Sequence, residues 1–247
     1  GAEIYARRCA WCHGEKGDGQ GPGATRLLPP PRDFTLGLYK IKTSGFDDIA
    51  AREQDLFRMI RDGMPGSAMP GWKDLLSEQD MWDVITHLAT FVELDKPKNQ
   101  VDYGTQIASS AESIAQGKKL FLEGDRCAEC HGKDGKGDGI KSLKDDAGFR
   151  TWPRNLTKPW TFRASNDPKD IFTRISTGIP GTQMPSFADP ASKKKLGVED
   201  RWHIANYVAS LAKVEERVRP DKTVVKAAKL AEGVPSAPDD PKWKQAE

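Results

Sequence analysis

The chain has 247 residues, 37% of them hydrophobic and 30% charged, with a formal net charge of +2. That length accommodates one or two domains with small cores. The near balance of charge excludes the electrostatic footprint of a nucleic-acid binder or of a protein held on an anionic membrane. No run approaches the roughly 18 apolar residues of a bilayer-spanning helix, and the chain, opening shortly before its first cysteine, reads as a mature or trimmed one.

In chain order, apolar residues at helical spacing predict a helix over Ala2 to His13, ending in Cys9-Ala10-Trp11-Cys12-His13. Two thiols a helical turn apart with a histidine beside them suit covalent haem attachment: each thiol forms a thioether to a vinyl group, and the imidazole faces the iron. A zinc knuckle would pair its cysteines with a second ligand pair at moderate spacing. A redox dithiol would sit at a strand end of a βαβ unit. A disulfide would leave His13 unexplained. The loop Gly14 to Gly19 lacks the lysine-hydroxyl ending of a phosphate cradle and the carboxylate series of a calcium loop, so it reads as a tight turn. A short helix over Glu53 to Asp62 is stopped by Gly63 and then proline. It is followed by Met64-Pro65-Gly66-Ser67-Ala68-Met69-Pro70, and a last helix spans Trp82 to Phe91.

Residues 98–113 read as a polar linker, and after it the chain repeats itself. A helix over Ser113 to His131 ends in Cys127-Ala128-Glu129-Cys130-His131, so the two motifs use all four cysteines. Pro153-Arg154-Asn155 matches Pro31-Arg32-Asp33, and Trp160 and Arg163 match Tyr39 and Lys42. A helix over Pro168 to Thr177 leads into Gly178-Ile179-Pro180-Gly181-Thr182-Gln183-Met184-Pro185, and Trp202 to Leu211 closes the unit. The units are therefore 1–97 and 114–214, with 215–247 left as an extension. Helices joined by glycine- and proline-rich loops, with no alternating strand pattern, define an all-α fold. Each unit has too little apolar side chain for a core without the bulk of a haem.

The repeat selects the sixth iron ligand by register. Met59, Met64 and Met81 fall opposite Arg174, Ile179 and Arg201, whereas Met69 falls opposite Met184. The assignment is His13/Met69 and His131/Met184, with Met64 the runner-up for the first iron. Each axial histidine needs an acceptor on its other ring nitrogen, expected from carbonyls of Pro29 to Pro31 and of Trp152 to Pro153. Haem propionates call for donors, for which Arg32, Tyr39, Lys42, Arg154, Trp160 and Arg163 recur in register. His87 is expected to pack against the first helix near Gly1, and His203 to lie on a solvated face.

With both Cys-x-x-Cys-His motifs and both Gly-x-Pro-Gly-x-x-Met-Pro segments, residues 1 to about 214 resemble tandem class I cytochromes c. The resemblance implies two domains, each built around one covalent haem c. It also implies terminal helices crossed at a glycine–aromatic contact: Gly1 with His87, where tyrosine is common, and Gly117 with Tyr207. The tail Val224 to Glu247 resembles the opening of haem b-binding γ subunits of ethylbenzene dehydrogenase-type complexes. That implies a molybdenum oxidoreductase or a membrane respiratory complex as partner. Two saturated irons suit a periplasmic carrier passing single electrons between a donor and an acceptor protein. The competing reading is a dihaem enzyme, a peroxidase or a thiosulfate-oxidising cytochrome.

Overall fold

The first half is built from α1 (Ala2–Arg8), α2 (Ala10–His13), a single 3-10 turn at Ala24–Arg26, α3 (Glu53–Asp62) and α4 (Glu78–Leu88). The second half repeats the order as α5 (Ala111–Leu122), α6 (Ala128–His131), a 3-10 turn at Pro159–Thr161, α7 (Pro168–Thr177) and α8 (Val198–Ser210). The computed structural model describes residues 1–48, 51–92, 98–124, 126–140, 142–146 and 148–212. The tail from Val224 to Glu247, with its γ-subunit resemblance, lies outside the described residues.

The helices leading into both motifs are shorter than the apolar spacing predicts. Cys9 breaks the first between α1 and α2, and the second stops at Leu122 before resuming at Ala128. α3 and α7 run over the predicted residues, and α4 and α8 begin several residues before their tryptophans. Ser77 explains the early start of α4: its hydroxyl accepts from the backbone N–H of Asp80, whose carboxylate accepts in return from Ser77 N–H. That reciprocal pairing satisfies two donors that a helix N-terminus otherwise leaves orphaned. One departure from the all-helix expectation is a two-stranded antiparallel pair, β1 (Leu143–Lys144) with β2 (Arg150–Thr151), which pairs Leu143 with Thr151.

Each half crosses its first and last helices at a glycine. A Cβ on Gly1 would lie 2.0 Å from the Asp83 carbonyl oxygen and 3.1 Å from His87 Cβ. One on Gly117 would lie 2.0 Å from the His203 carbonyl oxygen and 2.8 Å from Tyr207 Cβ. The backbones therefore touch where any side chain would hold them apart. His87 packs edge-on against Tyr5, ring centroids 5.1 Å apart, and Phe121 against Tyr207 at 5.3 Å. His203 does not face solvent as expected: it is half-buried, and its Nδ1 shares a 2.9 Å hydrogen bond with the Ser113 hydroxyl.

Two cores result. Tyr5, Leu56, Ile60, Met81, Val84, Ile85 and Leu88 form the first, and Phe121, Phe172, Ile175, Trp202, Ile204, Tyr207 and Val208 belong to the second. In each, a phenylalanine of the short helix stacks on the tryptophan of the last: Phe57 on Trp82 at 4.5 Å and Phe172 on Trp202 at 4.3 Å.

Both halves belong to one compact unit. The segment that reads as a polar linker straps them together. Val101 donates its N–H to Thr43 O of the first half and is itself buried in the second core. Arg58 of α3 reaches Asp170 of α7 through two hydrogen bonds, of 2.6 and 2.5 Å. Arg174 donates to the Lys40 carbonyl at 3.0 Å, and Lys40 pairs with Asp145 at 3.4 Å. Asp145 lies in the β1–β2 turn, so that hairpin delivers a carboxylate to the junction of the halves.

Candidate haem-binding sites

In both halves the motif forms a single turn of helix that puts the two cysteines beside each other and directs the histidine inward. Gly19 N–H donates to His13 O at 2.8 Å and Gly137 N–H to His131 O at 2.7 Å, folding the following loop back under the motif. These are the tight turns expected of the Gly-Asp-Gly segments. All four cysteines are free and half-buried. Burial, reinforced by Cys12, pushes the Cys9 thiol up to about 11, and burial likewise raises Cys127 to about 11. Among the described residues no three of His, Cys, Asp and Glu gather as a metal cage.

His13 Nδ1 lies 2.9 Å from Arg32 O, and His131 Nδ1 lies 3.0 Å from Arg154 O. The acceptors sit one residue beyond the stretches predicted for them, because the prolines set the turn and the arginine that follows presents its carbonyl. Each bond fixes one ring nitrogen as donor and leaves Nε2 with the lone pair that a metal requires. Burial lowers the pKa of both imidazoles, which favours the neutral form. Phe34 stacks on the His13 ring at 4.5 Å and limits its rotation.

The two methionine loops match atom for atom. Met64 N–H donates to Met69 O at 3.0 Å, and Ile179 N–H donates to Met184 O at 3.0 Å. Ser67 and Thr182 hydroxyls donate to the carbonyls of Met64 and Ile179 at 2.6 and 2.8 Å, and both accept from the N–H of the later methionine at 3.3 Å. Met69 and Met184 are half-buried at equivalent places, and Met64 occupies the position that isoleucine takes in the other loop.

The propionate candidates divide. Lys42 is a correction: it is 1% exposed, and its ammonium donates to the carbonyls of Gly45 and Asp48. Its charge is spent closing a loop. Trp160 is 53% exposed on a 3-10 turn, whereas its counterpart Tyr39 is buried. Arg32, Arg154 and Arg163 are half-buried, and burial lowers the pKa of each guanidinium. For Arg163 the value falls to about 10, with the like charges of Arg154 and Arg32 adding to the effect. Arg163 Nε is buried without a hydrogen-bond partner, a deficit of about 1–3 kcal/mol unless an acceptor arrives. Paired thiols, imidazoles whose Nδ1 donates to a carbonyl, and half-buried guanidiniums, one with an unsatisfied Nε, together fit a porphyrin bearing carboxylates.

Repeat register did not find Lys40, Asp145, Arg58 or Asp170. Arg174 carried a signal, a cation at the helix position where the other half has Met59.

Residues 1–88 match the family model described as cytochrome c oxidase, cbb3-type, subunit III, and residues 114–212 match the model described as cytochrome c. The cbb3-type cytochrome c oxidase subunit FixP of Sinorhizobium medicae is 27% identical over 156 residues, covering 59% of this chain and 43% of the relative. A thiosulfate dehydrogenase of Stutzerimonas stutzeri is 27% identical over 103 residues, covering 40% of this chain and 28% of the relative. The chain thus spans less than half the length of these curated relatives. A solved chain of the Kuenenia stuttgartiensis reducing HAO-like protein complex is 37% identical with a TM-score of 0.78. The match covers 86% of this chain and 95% of that one.

Proposed function

Because the chain belongs to the cytochrome c family, with two such domains in tandem, we propose that it is a periplasmic dihaem cytochrome carrying single electrons between redox partners. Cys9 and Cys12 would hold one haem by thioethers, with His13 and Met69 as its iron ligands. Cys127 and Cys130 would hold the other, with His131 and Met184. When bound, each haem supplies a one-electron ferric–ferrous couple, whose potential His/Met ligation raises. The chain's own residues do the rest. The carbonyls of Arg32 and Arg154 hold the imidazoles in one tautomer. The Ser67 and Thr182 hydroxyls stiffen the loops that present the thioethers. Arg32, Tyr39, Arg154 and Arg163 are the propionate donors.

The observation that carries this reading is the recurrence in both halves of one arrangement: the cysteine pair, the histidine on an arginine carbonyl, and the closed methionine loop. Equal preparation of both sites suits electron relay, and ligation of each iron by a histidine and a methionine would leave no open coordination position for substrate. Attachment of haem c after export supports the periplasm.

A pyridine haemochrome assay is expected to give two haems per chain, and one or none refutes the reading. Met69→Ala and Met184→Ala should each remove the sulfur-to-iron charge-transfer band of one haem, and an unchanged spectrum refutes that ligand. The likeness to a chain of an HAO-like complex favours a multi-subunit redox partner, and the tail's resemblance favours a molybdenum oxidoreductase. Co-purification separates them. The thiosulfate dehydrogenase relative supports an enzyme as the second reading, and thiosulfate or peroxide turnover by the wild type would establish it over a carrier.

A further inference from the structure

Arg32 and Arg154 each have two ends that serve different halves. The Arg154 carbonyl holds His131 of the second half. Its guanidinium lies on the first half's methionine loop, where a Cβ on Gly66 would stand 2.9 Å from Arg154 Nη1 and 3.1 Å from Thr161 O. Gly66 has φ +72, and only glycine leaves that guanidinium room. The Arg32 carbonyl holds His13 of the first half. Burial lowers the pKa of its guanidinium, and the charge of Asp145 of the second half, the carboxylate paired with Lys40 at 3.4 Å, works against that. The second methionine loop is likewise reached from across the junction: the position of a Cβ on Gly181 is 3.4 Å from Leu38 of the first half.

At this junction Arg154 lies on the Gly66 loop, Lys40 pairs with Asp145, and Arg163 lines a cleft with Lys42, Met59 and Arg174, its Nε buried and unsatisfied; the like charges of Arg154 and Arg32 act on Arg163 there. Crowded, desolvated cations of one sign call for anions. On the dihaem reading, each half would bring the carboxylates of its own haem.

We propose that the junction is a single carboxylate cradle shared by the two haems, in which Arg154, Arg163 and Arg32 each neutralise propionates of both halves and so couple the two iron potentials. The inference rests on the dihaem reading. Arg154 and Arg32 are positioning residues for both irons: each aims its own half's histidine through the main chain and sets the field at the other half's haem through the side chain. A guanidinium near a porphyrin favours the electron-rich state, so its loss lowers the potential of any iron that feels it.

The test is potentiometric titration of the wild type, Arg154→Gln, Arg154→Lys and Arg163→Gln as full chains. Each couple is assigned by the band lost in Met69→Ala or Met184→Ala, haem content is checked by pyridine haemochrome, and folding by far-UV circular dichroism. Arg154→Gln and Arg163→Gln are expected to lower both couples, a tenfold change in either redox equilibrium corresponding to about 59 mV. Arg154→Lys should restore much of both shifts. Movement of the second-half couple alone, or of neither, in both glutamine variants overturns the shared cradle while two haems per chain keep the dihaem reading. Fewer than two haems in the wild type overturns that reading and the cradle with it. Arg163→Gln keeps the question answerable if Arg154→Gln fails to fold, since no histidine depends on the Arg163 carbonyl.

Discussion

Gly117→Ala should destabilise the second half, although alanine is the better helix former. The added methyl would stand 2.0 Å from the His203 carbonyl oxygen, 2.6 Å from its carbon and 2.8 Å from Tyr207 Cβ. These are mainly backbone atoms of α8, so no rotamer change relieves the clash and α5 must withdraw by roughly 1 Å, a gap that forfeits a quarter to a half of each contact's dispersion well. Phe121 on α5 packs against Tyr207, and Leu120 lies in the same core, so both lose contact together. The cost is about 3 kcal/mol, the upper end of ordinary overpacking, and alanine's helix propensity returns about 1 kcal/mol. The net loss is about 2 kcal/mol, or about 1 M in urea midpoint at ordinary m-values. Urea titration of the haem-loaded chain by circular dichroism reads it. Gln116→Ala, on the exposed side of the same helix, is the control and should change stability by less than about 0.5 kcal/mol. An unchanged or raised midpoint for Gly117→Ala would mean that the helices do not meet backbone to backbone, and the crossing argument would fail.

Phe172→Ala removes a fully buried ring stacked on Trp202 and should cost about 3–5 kcal/mol, a loss under about 1 kcal/mol in urea titration contradicting the packing. A double-mutant cycle of Arg58→Ala with Asp170→Asn should give a coupling of about 1–2 kcal/mol, discounted because Arg58 is 38% exposed, and zero coupling would deny that the pair ties the halves together. Burial pushes the Asp170 carboxyl up, but the hydrogen bonds from Arg58 and Ser165 outweigh it and hold its pKa below the ordinary 3.8. Its stabilising contribution is therefore complete above that value and lost as pH falls through the lower folded value, so the stability gap between wild type and Asp170→Asn should be constant above about pH 5 and close in more acidic solution. A gap that widened with acid would reverse the sign. Lys42→Met, which strips the donor from Gly45 O and Asp48 O, should cost about 1–3 kcal/mol yet leave both haem potentials in place; a shifted potential would restore Lys42 as a propionate contact.

What the sequence determined by itself is what rests on short spacing and on the repeat. The crossings at Gly1 and Gly117 were expected from the family resemblance, whereas the Cys-x-x-Cys-His turns, the glycine stops of α3 and α7, and the paired loops ending in Met69 and Met184 were legible in the residues themselves. Each is governed by a helical period or a turn within a few residues, and the second copy removes the ambiguity of the first. Where local rules were stretched they slipped slightly, as at the histidine acceptors, which are Arg32 and Arg154 and not the residues just before them. Lys42 was misjudged because register supplies a position and not a partner, and its ammonium turns back to carbonyls of its own loop. The junction of the halves belongs to tertiary structure alone. Arg58 meets Asp170 across 112 residues, and Arg154 reaches Gly66 from the other half. No periodicity encodes such meetings, because a charge chooses its partner by distance through space, and that distance exists only once both halves have folded and docked.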